Sequence, residues 1–587
     1  MDKDVFSYIL TEENKFKTER IPITNSKDWN FKEHIERCTN VANGWFHQGK
    51  NDGLRPYDDI VTPVINVAFR SEGFDVKDIV PFVDSIDDAH KSFIVKKLHP
   101  KWARKHELDT FIDEVVESSI IYDLVLVKNI NNTRPEVVDL KTLAFCDQTD
   151  VMAGPICIKH QFTPAELVKF KGKWDDEKID MAITLAKEEK SVSTANDQPA
   201  STPGKYIEVY ELRGNLPKMW IDPQGGLYEY SPQMHIVCFY KSENGEKQGL
   251  TLYEGEDKPL EDNFKALKID GVRSKGRACG RSIVETLFEP QVWNNYSAIK
   301  IKKLLDSAVT LFLTDSDELG NQKLSELKDN TILKQEKGAT TQKLDGTLQN
   351  MTSFQSHQVK MENSARILGS ASDAQLGTNP VSGTPFALQN LVVQQGQGFH
   401  EYRQGKIATF FADVLYRDWI LKYLVDEINT GIKFSEELSL DEMQEIAETI
   451  VSREVNEKIK KKILETGVVP TMEEMETMKQ GMKEQFLKKS SRQFFETIKG
   501  ELSEVPVSVM VNINSKQRYM AQNADKITNI LREVMKNPQA FSQIPGVGRA
   551  FNQVLEESGL SPIDFTNITK AVEVTPSPVG AEELAVA

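Results

Sequence analysis

The chain carries only five cysteines in 587 residues: Cys38, Cys146, Cys157, Cys238 and Cys279. None forms a C-x-x-C pair or a zinc spacing, which excludes a disulfide scaffold and predicts reduced, buried thiols. Long hydrophobic runs are missing too: nothing approaches the roughly 18 apolar residues that a membrane helix requires. The opening residues, MDKDVFSYILTEENKFK, place acids where a secretory signal has bases, and no apolar core follows. A protein kept in a cytoplasm-like space, with no membrane partner, is expected. Basic charge is also in deficit, with 72 Lys and Arg against 88 Asp and Glu, a net charge of −16. Such a balance argues against a tight grip on nucleic acid, which needs a basic footprint. It is compatible with letting DNA slide, because an acidic wall repels phosphate.

Catalytic signatures are absent as well. There is no G-x-x-x-x-G-K-S/T phosphate loop, so no intrinsic ATP motor is expected. His106-Glu107 and His400-Glu401 lack the second histidine of H-E-x-x-H, and no G-x-S-x-G elbow occurs. Nine thinly spread histidines read as packing or surface residues. No carboxylate cluster stands out by spacing, and neither a catalytic residue, a metal nor a cofactor is expected. No internal repeat of fixed period marks a repeat scaffold.

What is present is an ordinary globular composition, 39% hydrophobic and 27% charged, in a chain long enough for several domains. A helix is expected from Phe31 towards Trp45 and a strand at Ile65–Phe69. Residues 106–121 form an amphipathic helix running into strands at 123–128 and 136–139, an α/β layer. Thr163, Pro164 and Glu166 spell a helix start: hydroxyl cap, proline in the first turn, acid three residues on. Asp175 caps a second helical piece. Residues 191–204 read as a linker. Short strands follow at Tyr206–Leu212, Gly226–Tyr230, His235–Tyr240, Leu250–Tyr253 and Ala266–Ile269. A long helix runs from about Ser282 to Val309, some 40 Å at about 1.5 Å per residue, with Pro290 near its start. Another spans 354–375.

The most telling stretch is Gly369–Ile428. Its loop, Gly377-Thr378-Asn379-Pro380-Val381-Ser382-Gly383-Thr384-Pro385, can neither continue a helix nor supply a core strand. A very long helix follows, with Phe399, Tyr402, Ile407, Phe410, Phe411, Val414, Leu421, Leu424 and Val425 at three- and four-residue steps, the apolar face. Gly396, Gly398 and Gly405 soften its first half, each costing a helix about 1 kcal/mol relative to alanine. Beyond Thr430 the chain is helical and charged over Leu440–Ile450, Arg453–Leu464 and Met472–Gly500, with a strand at Val507–Ile513 and a proline- and alanine-rich tail. Three features stay open in meaning. Lys300, Lys302 and Lys303 lie on the long helix and either line a DNA path, form a solvated face or meet a neighbouring subunit. Ile544–Ala550 is either a simple turn or a phosphate-contacting hairpin. Lys458, Lys460, Lys461 and Lys462 alternate with glutamates as a solvated face.

Taken together, the order of elements resembles the portal proteins of tailed bacteriophages. Two runs carry the local likeness: GRACGRSIVE–LFEPQ–WNN at Gly276–Asn295, and GTPFALQNLVVQQGQGFHEYRQGKIATFF at Gly383–Phe411. Both resemble short-tailed phage portals, and the second is similar to portals of crAss-like phages. The resemblance covers roughly 30–540 and implies a helix-rich α+β subunit of wing, stem, clip and crown parts. Residues 1–160 and 310–430 would be wing, 161–190 and 281–309 stem helices, 191–280 a β-rich clip, 431–560 a helical crown and 561–587 a flexible tail. Residues 375–385 would be the tunnel loop, with Gly377 to Thr384 facing DNA. The implied role is a ring of twelve copies at one capsid vertex, non-enzymatic, with double-stranded DNA in its channel during packaging and ejection. Implied partners are the terminase large subunit, the major capsid protein or scaffold, and tail or adaptor proteins; the implied location is the virion, with assembly in the host cytoplasm. Twelve copies at −16 each would carry −192 formal charges, a field favouring a low-friction conduit. A DNA-processing enzyme, or another head–tail connector or scaffold protein of a phage, is the alternative.

Overall fold

The computed structural model describes residues 2–24, 27–44, 56–82, 99–130, 133–191, 206–222, 228–241, 247–270, 274–307, 311–314, 341–344, 351–371, 386–427, 440–466, 471–487 and 508–511, with single residues 95, 226 and 376. In chain order the first elements are α1 (Asp2–Thr18), β1 (Ile21–Thr24), β2 (Lys27–Trp29), α2 (Phe31–Ala42), α3 (Thr62–Glu72) and β3 (Ile79–Phe82). Then come α4 (Leu108–Tyr122), β4 (Val125–Lys128), β5 (Glu136–Val137), β6 (Leu143–Phe145), β7 (Ile156–Phe162), α5 (Pro164–Val168) and α6 (Asp176–Ser191). The middle holds β8 (Ile207–Pro217), β9 (Tyr230–Lys241), β10 (Lys247–Glu256), β11 (Phe264–Leu267), α7 (Ile283–Ser307), β12 (Leu311–Thr314), β13 (Thr341–Leu344) and α8 (Met351–Leu368). The last part has α9 (Phe386–Thr409), a π-helical stretch (Phe410–Ile420), α10 (Leu421–Glu427), α11 (Leu440–Thr466), α12 (Met472–Leu487) and β14 (Ser508–Val511). The mixture is α+β, and no described helix is long and apolar enough to cross a membrane.

Two compact units share these elements. The first takes Met1–Gly73 and Thr110–Ile407. Its main sheet is antiparallel in the order β10-β9-β8-β7-β6. Because side chains alternate between faces, Ile207, Val209, Ile236 and Cys238 point one way. They pack there with Leu167 of α5, Ile179 and Ala182 of α6, and Leu252. Tyr210, Val237 and Phe239 point the other way, where α1 lies. Phe6 and Tyr210 each meet the Phe239 ring edge-on, and the Tyr210 hydroxyl donates to Glu13 Oε2 at 3.3 Å. Gly249 admits Phe6, since a Cβ there would sit 2.6 Å from its ring. With both faces covered, β8 is buried along most of its length and loses the clean alternation of a one-sided sheet. The sheet also recruits β6, before the boundary expected at residue 160, and β7, which runs across it. A second sheet runs β11-β4-β5, so the strand read near 266–269 pairs with the α/β layer rather than with the insertion.

Several expected elements differ in the structure. Ile65–Phe69 is helical, inside α3: Pro63 sits in the first turn, and Val64, Val67 and Ala68 are buried at helical steps. Near Gly226 the chain turns, Glu229 N–H donating to the Gly226 carbonyl at 3.1 Å, and the strand begins at Tyr230. All five cysteines are free and buried, as expected, and burial pushes the Cys38 thiol up to about 12.

The second unit takes Phe74–Asp109 and Ala408–Ala587. β14 pairs antiparallel with β3, Met510 opposite Val80. The π-helical stretch buries Phe411, Leu415, Tyr416, Trp419 and Ile420. These apolar residues recur every four positions, a step wider than the 3.6 of an α-helix, and wider turns keep them on one side. Phe411 meets Phe74 edge-on, and His99 packs on Tyr416. α11 is one helix where two pieces were expected, and it packs on α12. Lys458, Lys460, Lys461 and Lys462 are exposed along it, as a solvated face requires.

The α5 start is a full capping box: Glu166 N–H donates to Thr163 Oγ1 at 3.3 Å, and Thr163 N–H donates to Glu166 Oε2 at 2.8 Å. Thr163→Ala should therefore cost about 1 kcal/mol and speed amide exchange at Glu166 and Leu167. Unchanged exchange at those two amides would exclude a stabilising cap.

Candidate functional site

The residues carrying the family likeness gather around the first half of α7 and the middle of α9. Before α7 the chain folds back on itself. Arg277, almost fully buried, makes a two-pronged bond to Glu285, Nη1 to Oε1 at 2.8 Å and Nη2 to Oε2 at 2.7 Å, and Nη2 also donates to the Gly280 carbonyl. Ser282 Oγ accepts from Glu285 N–H at 2.9 Å and caps the helix. A paired guanidinium and carboxylate fix both position and angle, which a lysine could not.

Two turns on, α7 carries a polar clasp. Gln291, Asn294 and Asn295 are all buried. Gln291 Nε2 donates to the Asp58 carbonyl at 2.7 Å, and its Oε1 accepts from Ile60 N–H at 3.0 Å. Asn294 Nδ2 donates to the Asp58 carbonyl and to Asp58 Oδ2, while Asn295 Oδ1 accepts from Asp58 N–H at 3.1 Å. Three amides thus satisfy an irregular segment, Asp58–Ile60, that has no ladder of its own. α8 adds Gln358, whose Nε2 reaches Asp58 Oδ2 at 3.3 Å, and His357, whose Nδ1 lies 3.0 Å from Ser297 Oγ. Between Asp58, Pro63, Asn294, Gln358, Glu362 and Arg366 lies a cavity of about 540 Å3.

Of the three lysines singled out on this helix, Lys300 lies over the Tyr296 ring at 5.3 Å, Lys302 is half-buried and Lys303 is exposed. Trp293 and Tyr296, two turns and one turn before Lys300, are about half exposed. The loop from Gly377 to Thr384 lies outside the described residues, as does Ile544–Ala550.

The middle of α9 overturns the expected apolar face. Phe399 and Tyr402 are 41% and 59% exposed, whereas His400, Arg403 and Gln404 are buried. The reason is a carboxylate pair inside the unit. Arg403 Nε donates to Glu72 Oε1 and Oε2 at 2.9 and 3.1 Å, Nη1 to Asp123 Oδ1 at 3.0 Å, and Nη2 to the Ser119 carbonyl at 2.9 Å. His400 Nδ1 lies 2.9 Å from Glu72 Oε1, and Gln404 donates to the Gly73 carbonyl. Asp123 follows the last turn of α4 with φ of +52°, a left-handed conformation that aspartate tolerates better than most residues. Its Oδ2 accepts from Asp270 N–H at 2.8 Å and its carbonyl from Gly280 N–H at 3.2 Å. A Cβ on Gly280 would lie 1.6 Å from that Oδ2, so only glycine fits. Burial raises the Asp123 carboxyl to about 6 against the Arg403 charge and the Asp270 hydrogen bond.

A third buried carboxylate, Glu211, joins the two sheets. It accepts from Lys128 of β4 at 2.6 Å and from Arg213 of β8 at 2.6 Å, and lies 2.8 Å from His160 Nε2 of β7. Burial pushes its carboxyl up, but the His160 hydrogen bond and the Lys128 and Arg213 charges outweigh that and hold it well below the usual range. Among the described residues no group of three or more His, Cys, Asp or Glu side chains could hold a metal. What these clusters do chemically is fix helices and turns against one another. Sequence reading missed them because their members lie up to 331 residues apart; the one local trace is the run of amides in QVWNN.

No protein-family model and no curated protein matches the chain. Among solved structures it is similar to a chain from the virion of a native gene transfer agent particle, at 8% identity and a TM-score of 0.32, covering 68% of this chain and 84% of that one. At that level the likeness carries no argument about function.

Arg403→Leu leaves two buried carboxylates without their cation and should cost about 3–5 kcal/mol by urea denaturation; a loss below 1 kcal/mol would mean water reaches the cluster. The raised Asp123 carboxyl gives a stability contribution that is complete below its ordinary range near pH 4 and lost as pH rises through about 6. Stability measured from pH 4 to 7 should therefore fall more for the native chain than for Asp123→Asn. Parallel profiles would refute that titration.

Proposed function

We propose that this chain is a portal-type subunit of a tailed-phage-like virion, several copies of which ring an axial channel for double-stranded DNA. The observation that carries the reading is the order of elements around the main sheet. The chain leaves an α/β layer through capped α5 and α6, builds long antiparallel strands, and returns through 25-residue α7, clasped at its start by Arg277–Glu285 and by Gln291, Asn294 and Asn295. A pair of helical segments bracketing a β-rich excursion is what a stem and clip require, and a fixed return helix is what transmits position from clip to wing. The later elements agree in order: α8, the glycine-bearing α9, then the charged pair α11 and α12. In this reading the clip docks the terminase large subunit and later the tail adaptors, while the wing meets the capsid protein or scaffold. The acidic chain makes a channel that DNA crosses with little adhesion.

Negative-stain microscopy of the purified protein tests this directly. Rings with a central hole, of about a dozen copies, are expected; a compact monomer or a solid particle would end the proposal. Deleting Gly377–Thr384 should leave the ring intact and impair packaging or retention of DNA, and loss of the ring itself would remove those residues from the channel.

A further inference from the structure

The π-helical stretch carries a cost that apolar packing alone does not explain. At about 100° per residue, an α-helix would turn Tyr416 roughly 140° away from Phe411. In π turns, closed by bonds between residues five apart, the two come into line, and their ring centres lie 6.2 Å apart. The winding thus brings a phenol fully inside, although its hydroxyl finds no protein partner among the described residues. Leaving a buried polar atom unpaired is costly, and a phenylalanine would fill the same space without it.

Two more such atoms lie on the segment packed beside it. Residues 99–105 are helical, and His106 N–H still donates to the Trp102 carbonyl at 3.0 Å. His99, Trp102 and His106 therefore recur at i, i+3 and i+7 on one face. His99 packs on Tyr416 with ring centres 5.4 Å apart, while His106 Nε2 lies 3.1 Å from Glu427 Oε2. The two segments run side by side in the same direction, with Trp102 between those contacts. His99 Nε2 and Trp102 Nε1 are buried and, like the Tyr416 hydroxyl, have no protein partner among the described residues. Native interiors pair nearly all of their polar atoms, so three orphans on facing elements call for a shared partner.

The chemistry of the three atoms selects that partner. Trp102 Nε1–H only donates, a phenol donates or accepts, and a neutral imidazole offers one nitrogen of each kind. Burial pushes the His99 imidazole down to about 4, against the pull of the Asp109 charge, so the ring is neutral near pH 7. An anion would find no free cation here, since Lys105 and His106 are both held by Glu427. A metal ion cannot use an indole N–H. A water molecule accepts from Trp102 and donates to His99, and about three bonds are what buried waters make. We propose that Trp102 Nε1, His99 Nε2 and the Tyr416 hydroxyl converge on one internal water, which ties the helix at 99–105 to the π-helical stretch and keeps Tyr416 turned inward. The site lies within the second unit and is independent of the portal reading.

Two measurements on the full chain test it. A density map of the native protein, fine enough to show ordered water, should hold one peak within hydrogen-bond distance of all three atoms. An empty site, or a peak that bromide replaces and that therefore marks an anion, would overturn the proposal. The second measurement is amide exchange by mass spectrometry in peptides from Phe410–Ile420, for Tyr416→Phe, His99→Phe and the double variant. With the hydroxyl bridged, Tyr416→Phe should speed exchange by about fivefold or more. Adding His99→Phe should then speed it by less than the product of the two single effects, because both act on one water. With the hydroxyl simply orphaned, Tyr416→Phe removes a buried cost, and exchange slows or stays the same; that result, or single effects that multiply independently, would overturn the bridge. Peptides from β7 and β8 in the first unit should keep native rates throughout, which separates loss of the bridge from general unfolding. The map, read on the native chain, decides the matter even where a variant fails to fold.

Discussion

One guanidinium holds the first unit in its shape. Arg403 is buried between Glu72, from the end of α3, and Asp123, at the end of α4, and donates through Nη2 to the Ser119 carbonyl. An isolated carboxylate in such a place costs several kcal/mol, so each of the two needs the cation, and the cation needs them both. That mutual need fixes where α9 lies along the ends of two other helices. It also fixes its rotation: with Arg403, His400 and Gln404 facing inward, Phe399 and Tyr402 must face out. The same carboxylate of Asp123 receives the Asp270 amide and crowds Gly280, so the turn before α7 is set by the group that sets α9.

Seen this way, the GRACGRSIVE run is less a binding motif than the closing of a joint. Arg277 repeats the arrangement of Arg403 on a smaller scale, pairing with Glu285 in the first turn of α7 and tying back to the Gly280 carbonyl. Two turns along, three amides take over and hold Asp58–Ile60. Hydrogen bonds of this kind contribute only about 1 kcal/mol each, but leaving their buried partners unmade costs more. Geometry is therefore specified more sharply than stability. A long helix anchored in its first half by directional bonds has its position and angle set there.

Legibility followed the range of the interactions. Thr163, Pro164 and Glu166 describe α5 within four residues, and Asp175 caps α6 through Lys178 N–H as its position implies. α4 is readable from the apolar spacing of Leu108, Phe111, Ile112, Val115 and Val116, since the face it buries is written along itself. Where the deciding partner is distant, local pattern misleads. Ile65 to Phe69 looks like a strand until Pro63 and the burial of Val64, Val67 and Ala68 are considered together. Phe399 and Tyr402 look like core because aromatics usually are; no window around residue 400 contains Glu72 or Asp123. The main sheet was read as short strands because covering it on both sides, by α1 and by α5 with α6, removes the alternation that marks a strand's length. The π-helical stretch is a subtler miss: its doublets at 411–412, 415–416 and 419–420 were visible, but a step of four fits an α-helix nearly as well.

Net acidity sets the terms on which copies of this chain can meet. Charges of −16 per copy repel at low ionic strength, and the repulsion between exposed groups fades beyond about 8 Å in physiological salt. Association must therefore come from short-range contact: apolar area, which salt does not screen, and locally reversed charge. A conduit for a polyanion faces the converse demand, a surface that attracts little.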